Sequence, residues 1–169
     1  VVLLLAHEEE GSFGLVVNAR TEVTMRDLME ELGLSWGGDP ELRVHFGGPV
    51  ESHLGSVLFA ADAGEPLPEL SHCWQPLPGI FLTQDRDELA RLAARPPQRL
   101  RVLLGYAGWG PGQLLNEICR NDWLLAPPNA SLIFSDDPES TWEQAVRSVG
   151  VEPSQLPVWT LPARSGEAN

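Results

Sequence analysis

Lysine is absent from these 169 residues, and all eleven basic side chains are arginines. That single absence excludes a phosphate-loop lysine, a Schiff-base lysine and a lysine general base. Positive charge of any kind is scarce: 24 Asp and Glu give a formal net charge of -13 and a pI near 4.5. A surface of that sign repels phosphate backbones, whose binding draws on Lys and Arg displacing counterions, so direct nucleic-acid binding is disfavoured. Long apolar runs are missing too. The longest candidate, Val1 to Ala6, is strand-sized against the roughly 20 residues a helix needs to cross a bilayer, so no membrane association is expected. The two cysteines, Cys73 and Cys119, lie far apart and outside any Cys-x-x-Cys spacing, which removes a disulfide framework and a redox motif and fits a reduced, cytoplasmic setting. Val1 to Ala6 lacks the charged start of a secretory signal, and with no initiator Met we expect an N-terminal piece to be missing.

With 43% hydrophobic and 21% charged residues, the chain has the means to build one ordinary core. Val1 to His7 and Phe13 to Asn18 read as a β-hairpin around the Glu8-Glu9-Glu10-Gly11-Ser12 turn region. Thr24 reads as the N-cap of a helix whose Met25, Leu28, Met29 and Leu32 form one stripe ending at Gly33. Short strands follow at Arg43 to Phe46, Ser56 to Ala61 and Gly79 to Thr83, with a loop at Asp62 to Pro68. Asp85 caps a helix reaching about Ala94, and Arg101 to Leu104 is a buried strand running into a glycine-rich turn. Pro111-Gly112 opens an amphipathic helix with Leu114, Leu115, Ile118 and Cys119 on its apolar side. Trp123 to Ala126 and Ser131 to Phe134 read as strands, and Glu139 to Val149 as a last helix burying Trp142, Ala145, Val146 and Val149, closed by Gly150. Hairpin-like strand pairs mixed with helices point to an α+β fold, a single domain over 1-152 followed by a tail over 153-169.

The densest unusual stretch is Gly105-Tyr106-Ala107-Gly108-Trp109-Gly110-Pro111-Gly112-Gln113, between a strand and a helix N-terminus. It is neither Gly-x-Gly-x-x-Gly nor a phosphate-loop pattern, and Pro111 removes a donor that an anion would use. Its glycines either let Tyr106 and Trp109 pack on a tight turn or open a ligand pocket lined by those rings. Gln113, Glu117 and Asn121 at i, i+4 and i+8 make a polar stripe, a binding edge or a solvated face. Gly47-Gly48-Pro49 reads as a structural bend or as a second pocket wall. Arg91, Arg95, Arg99 and Arg101 straddle a helix end, where cations suit the dipole, and read as surface residues. His7, His45, His53 and His72 show no ligand spacing, so no metal and no cofactor is expected. There is no nucleophile elbow, and Cys119 on its apolar stripe reads as a small core hydrophobe, so no catalytic residue is assigned.

Together with Leu114, Glu117, Asn121, Trp123, Gly14-Leu15-Val16-Val17-Asn18 and Gly47-Gly48-Pro49-Val50, the glycine-aromatic run resembles the bacterial YqgE/AlgH family from His7 through Gly150. The resemblance implies a compact α+β domain whose branched, mostly antiparallel sheet has a small barrel-like portion surrounded by helices, in the bacterial cytoplasm and without established catalytic residues. The family is often labelled a transcriptional regulator, but no helix-turn-helix pairing is visible here, so any regulatory effect is expected to be indirect. The chain departs from the family at Ala19-Arg20, at Phe59 in place of a usual His, and at Leu115-Asn116 in place of acidic residues. The expected function is non-enzymatic interaction with an unidentified protein or small molecule through Tyr106, Trp109, Gln113, Glu117 and Asn121. The alternatives are direct DNA regulation or an enzyme combining Asn18, the Gly47-Gly48 loop and Glu117.

Overall fold

The computed structural model describes residues 1–60 and 69–156; the loop expected at 62–68 lies outside the described residues. Strands β1 (Val2–Glu8) and β2 (Gly11–Val16) form the expected hairpin, closed by Glu9-Glu10 between the paired Glu8 and Gly11. After β3 (Arg20–Thr24), helix α1 (Met25–Leu32) starts at Thr24 with a reciprocal cap: Asp27 N–H donates to Thr24 Oγ1 at 3.1 Å, and Thr24 N–H to Asp27 Oδ2 at 3.2 Å. Two orphan donors are thereby satisfied, and the helix stops at Gly33 as the stripe indicated. Strands β4 (Arg43–Phe46), β5 (Val50–Ala60), β6 (Trp74–Leu77) and β7 (Ile80–Thr83) precede α2 (Arg86–Ala94), which Asp85 caps. Then come β8 (Arg99–Trp109), α3 (Gln113–Cys119), α4 (Ala130–Ile133), α5 (Pro138–Ser148) and a 3-10 turn at Pro153–Gln155.

The α+β reading holds: one mostly antiparallel sheet, branched and nearly closed into a barrel, with the helices around it. The sheet path is β1-β2-β8-β5-β7-β6. The branch lies on β8, whose edge opposite β5 is shared by two partners. Leu103 and Leu104 pair in parallel with β4, while Ala107 to Trp109 pair antiparallel with β2. Strand β3 joins through β4. Alternation along β5 and β8 divides the core. Val57, Phe59, Leu100 and Val102 pack with Met25 and Met29 of α1 and Leu89 and Leu92 of α2. Leu58, Ala60 and Leu103 face the opposite way, toward Leu3, Leu15, Ile80 and Ile133.

Several sequence expectations are corrected. The glycine-aromatic run is not a turn, because Gly105 to Trp109 continue β8 and find partners in β2 and β5. Strands β3 and β6 were not foreseen, and β5 begins six residues earlier than Ser56, since the exposed polar run Glu51-Ser52-His53 hides the pattern. Trp123 to Ala126 lies outside helix and sheet and is unpaired, and the Ser131 to Phe134 segment is largely helical, in α4. Pro127 and Pro128 withdraw two donors that a ladder would need, and Asn129 then caps α4 by accepting from Ser131 N–H at 2.8 Å. On α5, Thr141 and Val146 are buried while Trp142 is exposed. Cys119 is exposed, not a core residue, because α3 ends there and only Leu114 is fully covered. Arg101 is not a surface cation but a buried one.

Candidate functional site

The end of β8 and the start of α3 make a corner tied together by one carboxylate. Trp109, last in β8, donates its indole N–H to Glu117 Oε2 at 3.0 Å. Trp123 donates to the same oxygen at 2.8 Å. Gln113 Nε2 donates to Glu117 Oε1 at 2.9 Å, and Gln113 Oε1 accepts from the Gly110 main chain at 3.1 Å. The two indoles meet edge to face with centroids 5.8 Å apart, the arrangement that ring quadrupoles favour. Donation by Trp123 and Gln113 outweighs partial desolvation and holds the Glu117 carboxyl below its ordinary value. A carboxylate with both oxygens engaged and its basicity reduced is a brace, poorly suited to proton abstraction.

The polar stripe is cut short. Helix α3 closes at Cys119, and Asn121, with φ 63°, turns the chain in the left-handed region that Asn tolerates. Asn121 N–H donates to Ile118 O at 2.9 Å and Asp122 N–H to Glu117 O at 3.0 Å. Asn121 therefore ends the helix and does not extend the Gln113–Glu117 edge. Its turn brings Trp123 back onto Trp109.

Gly47, Gly48 and Tyr106 do meet, as a backbone crossing. A Cβ on Gly48 would lie 2.0 Å from the Tyr106 carbonyl carbon, and one on Gly105 would lie 2.3 Å from the Gly48 oxygen. With Gly105 at φ 73°, β8 shifts register there, and the Tyr106 side chain moves to the Leu103 side of the sheet. It packs on Phe13, ring centroids 5.0 Å apart. Asn18 stands apart from both groups: its Nδ2 donates to Pro138 O at 3.1 Å, and its Oδ1 accepts from the Val1 nitrogen at 2.6 Å. The eight residues singled out in the sequence thus fall into a braced corner, a backbone crossing and a loop tether.

Sequence reasoning missed three features. The first is the surface that the brace holds out. Trp123 is 37% exposed, Leu124 50% and Leu125 66%, and among the described residues the main chain of 123–128 makes no hydrogen bond. The apolar run that read as a strand in sequence is carried by these side chains. The second is buried. Arg101 donates to Val17 O and Ser135 O, and Arg20 donates to Asp136 O, so cations fasten the segment before α5 to the sheet. Burial pulls Arg101 down to about 10, still charged at neutral pH. Beside them His45 is 4% exposed, and neither ring nitrogen has a hydrogen-bond partner. Burial, then Arg101 and Arg20, lower it to about 4; the Arg43 main chain pulls the other way without reaching hydrogen-bond geometry. Nothing in the spacing of His45 and Arg101 signals this. The third is a shallow cleft of ≈ 170 Å³ between α1 and α2, floored by Val57 and Val102 and walled by Leu28, Leu32 and Leu89. None of the eight residues lines it. Among the described residues no three His, Cys, Asp or Glu gather as metal ligands, and no helix is long and apolar enough to cross a membrane.

Comparison with known proteins places this geometry in a family. The AlgH-like family model matches residues 1–154. A UPF0301 protein of Myxococcus xanthus is 40% identical over 158 residues, covering 92% of this chain and 83% of the relative. A UPF0301 protein of Methylococcus capsulatus is 39% identical over 154 residues, 89% of this chain and 81% of the relative. The solution structure of the AlgH protein from Pseudomonas aeruginosa superposes with a TM-score of 0.73 at 28% identity, covering 99% of this chain and 85% of that one. A crystal structure from Corynebacterium diphtheriae shares the fold at TM-score 0.65 and 22% identity, covering 87% of this chain and 75% of that one. The chain belongs to the AlgH-like family.

Proposed function

We propose that this member of the AlgH-like family is a non-enzymatic interaction domain of the bacterial cytoplasm, that its partner is another protein, and that any part it plays in regulation is indirect. The observation that carries this reading is the braced corner. Glu117 spends both oxygens on Trp109, Trp123 and Gln113, and what the brace presents is apolar: Trp123, Leu124 and Leu125, with Leu115 at 54% exposure on α3. Contiguous exposed apolar groups on an otherwise strongly charged protein mark an interaction surface more often than a reaction site. The enzymatic alternative called for Asn18, Gly48 and Glu117 around a cleft with a carboxylate of raised pKa. Glu117 shifts the other way, and Asn18 is tied to Pro138. Direct DNA regulation is opposed by the net charge of -13.

The test is quantitative capture of partners from cytoplasmic extract with the tagged full-length chain and with Leu124→Ser/Leu125→Ser. Specific partners are expected to fall by an order of magnitude in the variant while its circular dichroism and melting temperature stay unchanged. Equal recovery by both would move the partner surface elsewhere.

A further inference from the structure

Four features decide what kind of partner fits the corner, and this inference rests on the interaction reading above. First, the exposed groups run along the chain as Trp123-Leu124-Leu125-Ala126, a stretch outside helix and sheet whose main-chain donors and acceptors are unpaired among the described residues. Unpaired main-chain donors and acceptors are what a linear segment can pair with. Second, the stretch is held at both ends, by Trp123 and by the Asn129-capped start of α4, while its middle stands out. Trp123 is fastened to Glu117 and Trp109, while Leu124 and Leu125 have at least half their surface in solvent.

Third, the rim is acidic. Ser12 pairs with Trp109, so the β1–β2 hairpin runs past the end of β8 and brings its tip beside Gly110 and the start of α3. That tip is Glu8-Glu9-Glu10, all exposed, while Glu117 accepts from both indoles and Asp122 directly precedes Trp123 in the chain. The one cation in this group, Arg120, is already paired with Asp122 at 2.7 Å. Fourth, that charge opposes self-association through this face. A two-fold contact sets the same patch against itself and would bring two such rims together.

We propose that the corner binds a linear, basic protein segment in which apolar anchors cover Leu124 and Leu125 and flanking Arg or Lys residues meet Glu8, Glu9 and Glu10. Apolar burial supplies affinity and the acidic rim selects for charge and speeds encounter, which makes binding salt-dependent.

Three synthetic peptides of equal length test it against the purified full-length chain by fluorescence anisotropy: one alternating Leu with Arg, one with every Arg changed to Gln, one with every Leu changed to Ser. The Leu/Arg peptide is expected to bind at least tenfold more tightly than either control. Its affinity should drop at least tenfold in Leu124→Ser/Leu125→Ser and severalfold in Glu9→Gln/Glu10→Gln. Glu30→Gln/Glu31→Gln, the same charge change on exposed positions of α1, should leave it unaltered. Equal loss in both Glu variants would reduce the effect to net charge and overturn the proposal, as would equal binding of the Leu/Arg and Ser/Arg peptides. Equal binding of the Leu/Gln peptide would overturn the basic requirement and leave the interaction reading standing. No binding of any peptide would overturn the inference alone, since extract capture decides the function separately. A dimer in sedimentation that Leu124→Ser/Leu125→Ser dissolves would name a second copy as the occupant and overturn it too.

Discussion

The Glu117 corner and the His45–Arg101 interior solve opposite problems. At the corner, which faces solvent, every polar group of the brace has a partner, and the groups left uncovered are apolar. In the interior, the cation Arg101 is enclosed and satisfied by carbonyls, while the imidazole of His45 is enclosed with neither nitrogen satisfied. Water can substitute for a missing partner at the corner and cannot do so inside. Energetic weight therefore sits with the buried group, and freedom to bind sits with the exposed one. The Gln113–Glu117 stripe, which sequence left open as a binding edge, becomes a scaffold, whereas a histidine and an arginine that look ordinary become the sensitive point of the fold.

The interior should break hardest. Arg101→Ala strands the carbonyls of Val17 and Ser135 and removes a buried side chain, so a loss of about 4 kcal/mol in unfolding free energy is expected. Arg101→Met keeps most of the packing and should lose about half as much. Urea denaturation of the two variants measures the difference. Equal losses would mean that packing alone matters and that the carbonyls find water.

The second prediction concerns pH. His45 has a folded value of about 4 against an ordinary 6.5, so it is neutral when folded and binds a proton when unfolded anywhere between them. Its stabilisation is complete above pH 6.5 and is lost as pH falls toward 4, about 3 kcal/mol in all. His45→Leu removes the titrating group and two orphaned nitrogens. Its stability at pH 7 should stay within about 1 kcal/mol of the parent, and the difference between the two proteins should shift in favour of the variant from pH 6.5 to 4.5. Carboxylates whose values are lowered, such as Asp27 and Glu88, titrate in both proteins and cancel. A pH-independent difference would show that water reaches the imidazole.

How much of this was legible beforehand follows the same division. Helices α1 and α2 could be read nearly to the residue, because a capping side chain, a 3.6-residue stripe and a stop signal are local and agree. The end of β8 could not, since Gly105 to Trp109 become strand only because β2 and the Gly48 segment come from distant sequence to meet them. Trp123 to Ala126 is a short apolar run that reads as a strand but has no neighbour to pair with, which only topology reveals. At the site, the spacing of Gln113 and Glu117 was correct as a contact, but periodicity could not foresee that Asn121 would end the helix. Nor could it foresee that Glu117 would be consumed by two indoles. The burial of His45 and Arg101 depends on four separated segments converging, and no window along the chain carries that signal.

The smallest effect belongs to the corner. Glu117→Gln keeps the shape and removes the charge. Its carboxamide oxygen can still accept from both indoles, but its NH2 then faces the Gln113 NH2, donor against donor. Rotating Gln113 repairs that contact only by withdrawing its oxygen from Gly110 N–H, so one bond of the brace is lost whichever way the amide turns. Global stability should barely move. The readout is the indole 1H–15N resonances of Trp109 and Trp123. In the parent these should hold their shifts until the pH falls below 4.5, because the depressed Glu117 value keeps the carboxylate charged past the ordinary glutamate midpoint and the brace is lost only as pH drops through the folded value. In Glu117→Gln they should be pH-independent, and Gly110 N–H should exchange faster. Titration of those peaks at or above 4.5 would mean that the two indoles are not held by this carboxylate in solution, and the corner would be as loosely partnered as the surface around it.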